Sequence, residues 1–269
     1  MTPNEKRIAS CKKVGGAHKR LGHKKEDYFN KQFNPSVLGS NDYGANADCT
    51  IADGHPIRET LKESLDLPDS CSYHTTNKSG KGIQLTLGKI NELDMENNLD
   101  IITDKSKSRK IFNKYLKKTE SRRPADLLVY YNDETDKWEF FKTDTIINFI
   151  VNKCIWRKLA SGRLKGDFLR ELDIRDKNIT IKNLQEQLSN YGLNIKGDKN
   201  KMIERLENYK TEHPEVTFNI PPKKIQYLTY EYRKNHKSYF LGFSGGKGKP
   251  FIELLKKNIP YHSESFNFE

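Results

Sequence analysis

Long apolar runs are missing from this sequence. No stretch reaches the ~18 apolar residues that a bilayer-spanning helix needs, so none is expected. The start, Met1-Thr2-Pro3-Asn4-Glu5-Lys6-Arg7, has no apolar core after its charges, and no secretory signal is expected there. Cysteine is scarce. Cys11, Cys49, Cys71 and Cys154 include no pair at the two- to four-residue spacing of a zinc site. A reducing, intracellular setting follows as the expectation, with Cys49 and Cys71 as buried free thiols. There is no serine–histidine–aspartate order, no Walker-type phosphate loop and no His–Asn–His metal motif. Acid is short relative to base: 36 Asp and Glu stand against 48 Lys and Arg. The resulting +12 charge, with a pI near 9.3, favours a polyanionic partner, nucleic acid foremost. A hydrophobic share of 34% with 10% aromatics still allows a folded core in 269 residues.

What is present centres on residues 44–51 and 72–88. Three short strands are expected there. The first carries a lone carboxylate, Asp48. In the second, Ser72, His74, Thr76 and Lys78 share one polar face by two-residue alternation. In the third, Ile83, Leu85 and Leu87 alternate with Gln84 and Thr86. An acid on one strand and a lysine on its neighbour suit metal-dependent phosphodiester hydrolysis. The carboxylate holds a hard divalent cation through oxygen, and the lysine puts positive charge beside the scissile phosphate.

Around this stretch the elements read in order. A basic, glycine-punctuated loop leads into a helix in which Glu26, Phe29 and Phe33 fall at helical spacing. Residues 57–65 form a short helix, and 104–118 a basic amphipathic one with Ile111, Phe112, Tyr115 and Leu116 as its stripe. Residues 126–143 form a hairpin around a polar turn at 132–136. Asp144 is expected to cap a buried helix over 145–156. A glycine- and base-rich loop follows at 160–168. Strands are expected at 225–233 and 238–244, and a last helix at 251–257.

Residues 179–209 differ in character. Leu184 and Leu188 sit one turn apart in a helix stopped by Gly192, and a second helix is expected over 200–206. The spacing Leu184, Leu188, Gly192-Leu193, Gly197, Lys199, Met202-Ile203, Arg205-Leu206 resembles the SAP module, a small helix–extended loop–helix DNA-binding unit. Asp198 departs from it, standing where that family often has a small or basic residue. Lys182, Lys196, Lys199, Lys201 and Arg205 are the DNA-contacting candidates of this unit. Lys19, Arg20, Lys81, Arg163 and Lys165 are those outside it.

Asp48, Lys78 and the helical Glu26 together resemble the PD-(D/E)XK nuclease superfamily, in particular type II restriction endonucleases of bacterial or large-virus type. The resemblance implies an α/β fold: a restriction-endonuclease-like mixed sheet flanked by helices, with the small SAP-like module at 174–214 inserted between 1–173 and 215–269. It assigns Asp48 and Glu26 to a magnesium ion and Lys78 to the scissile phosphate. Thr76 stands where the second acid belongs, so Glu26 or a water oriented by Gln84 has to compensate. A rival trio of Asp126, Glu139 and Lys142 fails on spacing, because Glu139 and Lys142 are three apart and face opposite sides of a strand. The implied activity is magnesium-dependent cleavage of double-stranded DNA at a short specific sequence, by a two-fold dimer if that sequence is a palindrome. The competing reading is a non-enzymatic DNA-binding or architectural protein that uses the SAP-like module and basic surface.

Overall fold

Residues 127–131, Leu-Leu-Val-Tyr-Tyr, read as an unbroken apolar run. Such a run buries both faces of a strand rather than one. In the computed structural model it is β4 (Leu127–Asn132), and all of its residues are buried. Residues 25–37, 49–79, 84–87, 98–120, 122–160, 164–220, 228–233, 238–243 and 248–266 are described by the structure. They include helix α1 (25–33), β1 (Cys49–Thr50), α2 (Ile57–Leu65), β2 (His74–Ser79), β3 (Gln84–Leu87), α3 (Asn98–Thr103) and α4 (Lys105–Tyr115). After β4 come β5 (Lys137–Lys142), α5 (Thr143–Lys153), β6 (Cys154–Lys158), β7 (Leu164–Phe168) and β8 (Arg170–Glu171). The remainder is α6 (Ile181–Asn190), α7 (Lys199–Glu212), β9 (Asn219–Ile220), β10 (Leu228–Arg233), β11 (Ser238–Phe243), α8 (Gly248–Asn258) and β12 (His262–Ser265). The chain divides into two compact units, one of residues 1–152, 156–166 and 226–269, the other of 153–155 and 167–225.

The first unit is mixed α/β. Its main sheet is five-stranded, ordered β1-β2-β4-β5-β12. β2 and β4 are parallel and the other pairs antiparallel, so the sheet is mixed. On one face Leu127, Val129, Tyr131, Trp138 and Phe140 meet Phe29 and Phe33 of α1 and Ile57, Leu61 and Leu65 of α2. Phe29 stands edge-on to Trp138 at 5.3 Å and Phe33 to Phe140 at 5.5 Å, an arrangement that aromatic quadrupoles favour. On the other face α8 packs over β5, with Phe251, Ile252 and Leu255 buried. A second sheet has the order β3-β11-β10-β7-β6, with β3-β11, β11-β10 and β10-β7 antiparallel.

Several expectations shift. The third of the three central strands pairs with β11 in the second sheet and not with β2. α5 starts at Thr143, so Asp144 lies inside its first turn. The Asp144 carboxylate meets Lys117 Nζ at 2.6 Å instead of capping. The helix also stops at Lys153, and Cys154 to Lys158 continue as strand, where Ile155 and Trp156 are good strand formers. Residues 164–168, expected as loop, are β7. β12 had no sequence signal: Pro260-Tyr-His-Ser-Glu-Ser265 has no apolar alternation. As an edge strand it is held by backbone pairing to β5.

In the second unit α6 and α7 close a core of Leu172, Ile174, Ile179, Leu184, Leu188, Met202, Leu206 and Phe218. Gly192 is left-handed at φ +68, and Leu193 N donates to Leu188 O while Gly192 N donates to Ser189 O. This is a complete Schellman stop. Gln185 donates to Ile195 O and Lys199 Nζ to Lys177 O, so the extended loop runs back along α6 and α7 starts near where α6 starts. Asp198 accepts from Lys201 N at 2.9 Å and caps α7, which is the physical reason for an acid there. α7 runs on to Glu212, beyond the expected end at 206.

Gly197 has φ +120, and a Cβ there would lie 3.4 Å from Arg205 Nη2. Gly197→Ala is expected to destabilise this unit by about 1–3 kcal/mol through backbone strain. Urea unfolding followed by tyrosine fluorescence measures it; an unchanged midpoint would show that the loop relaxes freely.

Candidate active site

β2 owes its polar character to its position. Thr75 and Asn77 point to the aromatic face, where Thr75 Oγ1 donates to Asn77 Oδ1 at 2.8 Å and Asn77 Nδ2 lies 3.1 Å from Cys49 Sγ. His74, Thr76 and Lys78 therefore share the opposite face, as the alternation predicts. β1 lies antiparallel beside β2 with Cys49 opposite Thr75 and Thr50 opposite His74. The strand that begins directly after position 48 is thus the neighbour of the lysine strand. Asp48 itself lies outside the described residues, as do Lys19, Arg20, Lys81 and Arg163.

Thr76 is 2% exposed, and its hydroxyl oxygen is buried without a hydrogen-bond partner. A buried hydroxyl without a partner is costly and marks a place where a polar group is wanted. Lys78 is half-buried and stands directly opposite Tyr130. Glu26 lies in the first described turn of α1, the helix packed on the aromatic face. Its neighbour Lys25 sits 3.5 Å from the Tyr131 ring centroid and 2.8 Å from Asp133, while Tyr131 pairs with Ser79, next to Lys78. Gln84 lies on β3, which pairs with β11 in the second sheet and not with β2. Among the described residues no three His, Cys, Asp or Glu side chains converge as a metal-binding group. Glu26 belongs to the helix packed on the aromatic face, whereas Thr76 and Lys78 face the other side of the sheet, so the described residues do not bring the Glu26 carboxylate and the Thr76 hydroxyl together.

His74 shares the lysine face but lies four residues away along the strand, roughly 13 Å at ~3.3 Å per residue. Its Nδ1 is 3.2 Å from Ser72 Oγ, and burial lowers its pKa against the opposing pull of Asp126. Asp126 accepts from Ser72 Oγ at 2.7 Å and from Ser72 N at 3.1 Å. With Asp66, Leu67, Pro68, Cys71, Lys117, Lys142 and Asp144 it lines a cleft of about 350 Å3. Both cations of that cleft are engaged, Lys117 with Asp144 and Lys142 with Asp66 O. The rival trio is divided as expected: Glu139 opposes Tyr130 on one face, and Lys142 opposes Leu127 on the other.

Burial pushes the Cys71 thiol up to about 11, helped by the Asp126 charge. At pH 8 its alkylation by iodoacetamide is expected to run about 100-fold slower than that of a thiol at the ordinary value. Residue-resolved mass spectrometry checks this, and fast labelling of Cys71 would contradict the cleft geometry.

In the second unit Lys182, Lys196 and Lys201 are exposed. Lys201 lies 3.7 Å from Asp198, and Lys199 donates to Lys177 O. Arg205 donates through Nη1 to Asn194 O at 2.8 Å and Lys196 O at 2.6 Å, which makes it a staple for the loop. Outside that unit Lys165 on β7 opposes Thr229 on β10 and is half-buried.

Sequence reasoning passed over one pair. Glu139 is 2% exposed, and its Oε1 accepts from Lys256 Nζ at 2.8 Å. The signal was a glutamate inside Trp138-Glu-Phe-Phe141, where both faces of the strand are buried.

No known protein family, curated protein or solved structure matches this chain. Among the described residues no helix is long and apolar enough to cross a membrane.

Proposed function

We propose that this chain is a magnesium-dependent endonuclease that hydrolyses phosphodiester bonds of double-stranded DNA at a short specific sequence, on a restriction-endonuclease-like core with a SAP-like DNA-binding module. The observation that carries the reading is the register Cys49 opposite Thr75. It sets the strand following Asp48 beside the strand that presents Thr76 and Lys78 on one face. The +12 charge supports a polyanionic substrate.

In this reading Asp48 and Glu26 hold the cation. The cation, when bound, polarises the phosphate and lowers the pKa of its water. Lys78 sets its ammonium against the charge that grows on the phosphate in the transition state. A two-fold dimer is the arrangement for a palindromic site. Linearisation of supercoiled plasmid by the purified chain with magnesium, and none with chelator, is the expected result. Intact plasmid in both would count against it.

A second reading, a DNA-binding protein without catalysis, is favoured by the absence of an acid at Thr76 and by the exposed lysines of the two-helix unit. It predicts plasmid retardation with no cutting at any magnesium concentration.

A further inference from the structure

Residues 105–123 hold nine Lys and Arg against one acid, Glu120, a net +8 where the whole chain has +12. The two-helix unit has no such excess: residues 172–218 hold eight Lys and Arg and eight Asp and Glu. α4 occupies most of the basic stretch, in the connection between β2 and its parallel neighbour β4. Ser108, Phe112 and Leu116, four residues apart, are buried and mark the face that α4 turns to the core. Lys107, Lys110 and Lys114 fall at i, i+3 and i+7 on the opposite face. Lys107 and Lys110 are exposed, as are Lys105 before them and Arg122 and Arg123 beyond. Two other cations fix the helix to α5: Arg109 donates to Asn148 Oδ1, and Lys117 Nζ meets Asp144 Oδ2 at 2.6 Å. Lys114 meets Glu120 at 2.8 Å.

For the helix itself this row is unfavourable. No acid stands in the first turn of α4, where Lys105 and Lys107 meet the positive end of the helix dipole. Lys107 repels Lys110, and Lys110 repels Lys114, at the spacings that bring side chains together on a helix. Among the described residues none of Lys105, Lys107 and Lys110 has an ion-pair partner. A local rule broken without structural gain points to function. An external polyanion is what removes the repulsion. An anionic membrane surface does not fit, because a helix lying on it must bury an apolar face there. The apolar face of α4 is already in the core, with Phe112 1% and Leu116 3% exposed.

We propose that α4 is the phosphate-binding helix of the first unit, with Lys105, Lys107 and Lys110 against the backbone of double-stranded DNA. This rests on the DNA substrate of the nuclease reading above. Lys105 to Lys114 spans about 14 Å at ~1.5 Å per residue, the axial rise of roughly four nucleotides of one strand. Lysine ammoniums are point charges and not base-reading forks, so the helix contributes affinity and placement rather than sequence choice. α4 belongs to the same unit as Lys78, so it holds the duplex to the unit that carries the proposed chemistry.

The test replaces the three lysines together, as Lys105→Gln, Lys107→Gln and Lys110→Gln in one variant and as the corresponding Arg substitutions in another. Binding of a labelled DNA duplex is titrated at several salt concentrations without magnesium, and cleavage is assayed separately. Gln forms helix about as readily as Lys, and the repulsion is gone, so the Gln variant should melt at or above the unmodified chain. Its binding should weaken for all sequences alike. The slope of log affinity against log salt should become shallower by about 2.7, at ~0.9 for each of three contacts. The Arg variant keeps the charge and should keep the slope. A Gln variant with the original affinity and slope would overturn the proposal. So would a Gln variant that fails to fold, because the lysines would then be structural, or an Arg variant that loses as much binding as the Gln one. If the unmodified chain binds DNA through these lysines and cuts none, the proposal stands and the nuclease reading fails. If it binds no duplex even at low salt, both fail.

Discussion

Lys78→Ala is expected to lower the rate of DNA cleavage by about 10²–10³-fold, the loss typical when one stabiliser of transition-state charge is removed. DNA affinity should stay within about twofold, because one phosphate contact among many carries little of the binding. The fold should hold: Lys78 is half-buried at the end of β2, and the apolar contacts of the sheet come from β4, β5 and the helices. Asp48→Ala should abolish cleavage more completely and also remove the response to magnesium, since the carboxylate is the proposed cation ligand. Glu26→Gln should weaken the magnesium response strongly, and Thr76→Val should matter less. Single-turnover assays at saturating DNA, with circular dichroism as the folding control, measure these effects. A Lys78→Ala protein that cuts at full rate would remove Lys78 from the site and with it the geometric case for β2.

Removing the second unit should weaken DNA binding for all sequences alike and leave the cleavage position unchanged. The structure shows where the cut belongs. Arg170 pairs with Ile220 and Glu171 with Asn219, and Leu172 N donates to Phe218 O at 2.7 Å. The chain leaves and returns at adjacent backbone positions, so residues 172–218 can be replaced by a short glycine turn. A smaller deletion of 179–209 would strand Leu172, Ile174 and Phe218 without their partners on α6 and α7. The exposed Lys182, Lys196 and Lys201 suit phosphate contacts rather than base reading. With those contacts gone, the slope of log affinity against log salt should become shallower by about 0.9 per lost contact. Binding titrations at several salt concentrations measure it. A deletion protein with full affinity but altered cleavage positions would reverse the assignment, making this unit the sequence reader.

The parts legible in the sequence are those where local chemistry and tertiary packing agree. The hairpin of β4 and β5 was plain from two apolar runs around Asp133-Glu-Thr-Asp136, and α2 from Ile57, Leu61 and Leu65 at helical spacing. Asp104 was legible as a helix start, and its side chain accepts from Lys107 N. The two-helix unit was legible down to Gly192. Illegible were features decided by distant partners. β12 exists through its pairing with β5, and β3 belongs to another sheet through β11. Asp198 looked out of place as a DNA-facing residue and is a helix cap. At the site, the alternation of β2 was readable, but the depth of Thr76 and the pairing of Glu139 with Lys256 across 117 positions were not.

The most direct measurement of the central claim is to incubate the purified chain with a complex genomic DNA and magnesium, then sequence every new end. The nuclease account predicts new ends that share one short sequence, that disappear with chelator, and that disappear with Asp48→Ala or Lys78→Ala. DNA that is bound in a salt-dependent way but acquires no new ends under any divalent cation would contradict it and leave a binding protein in its place.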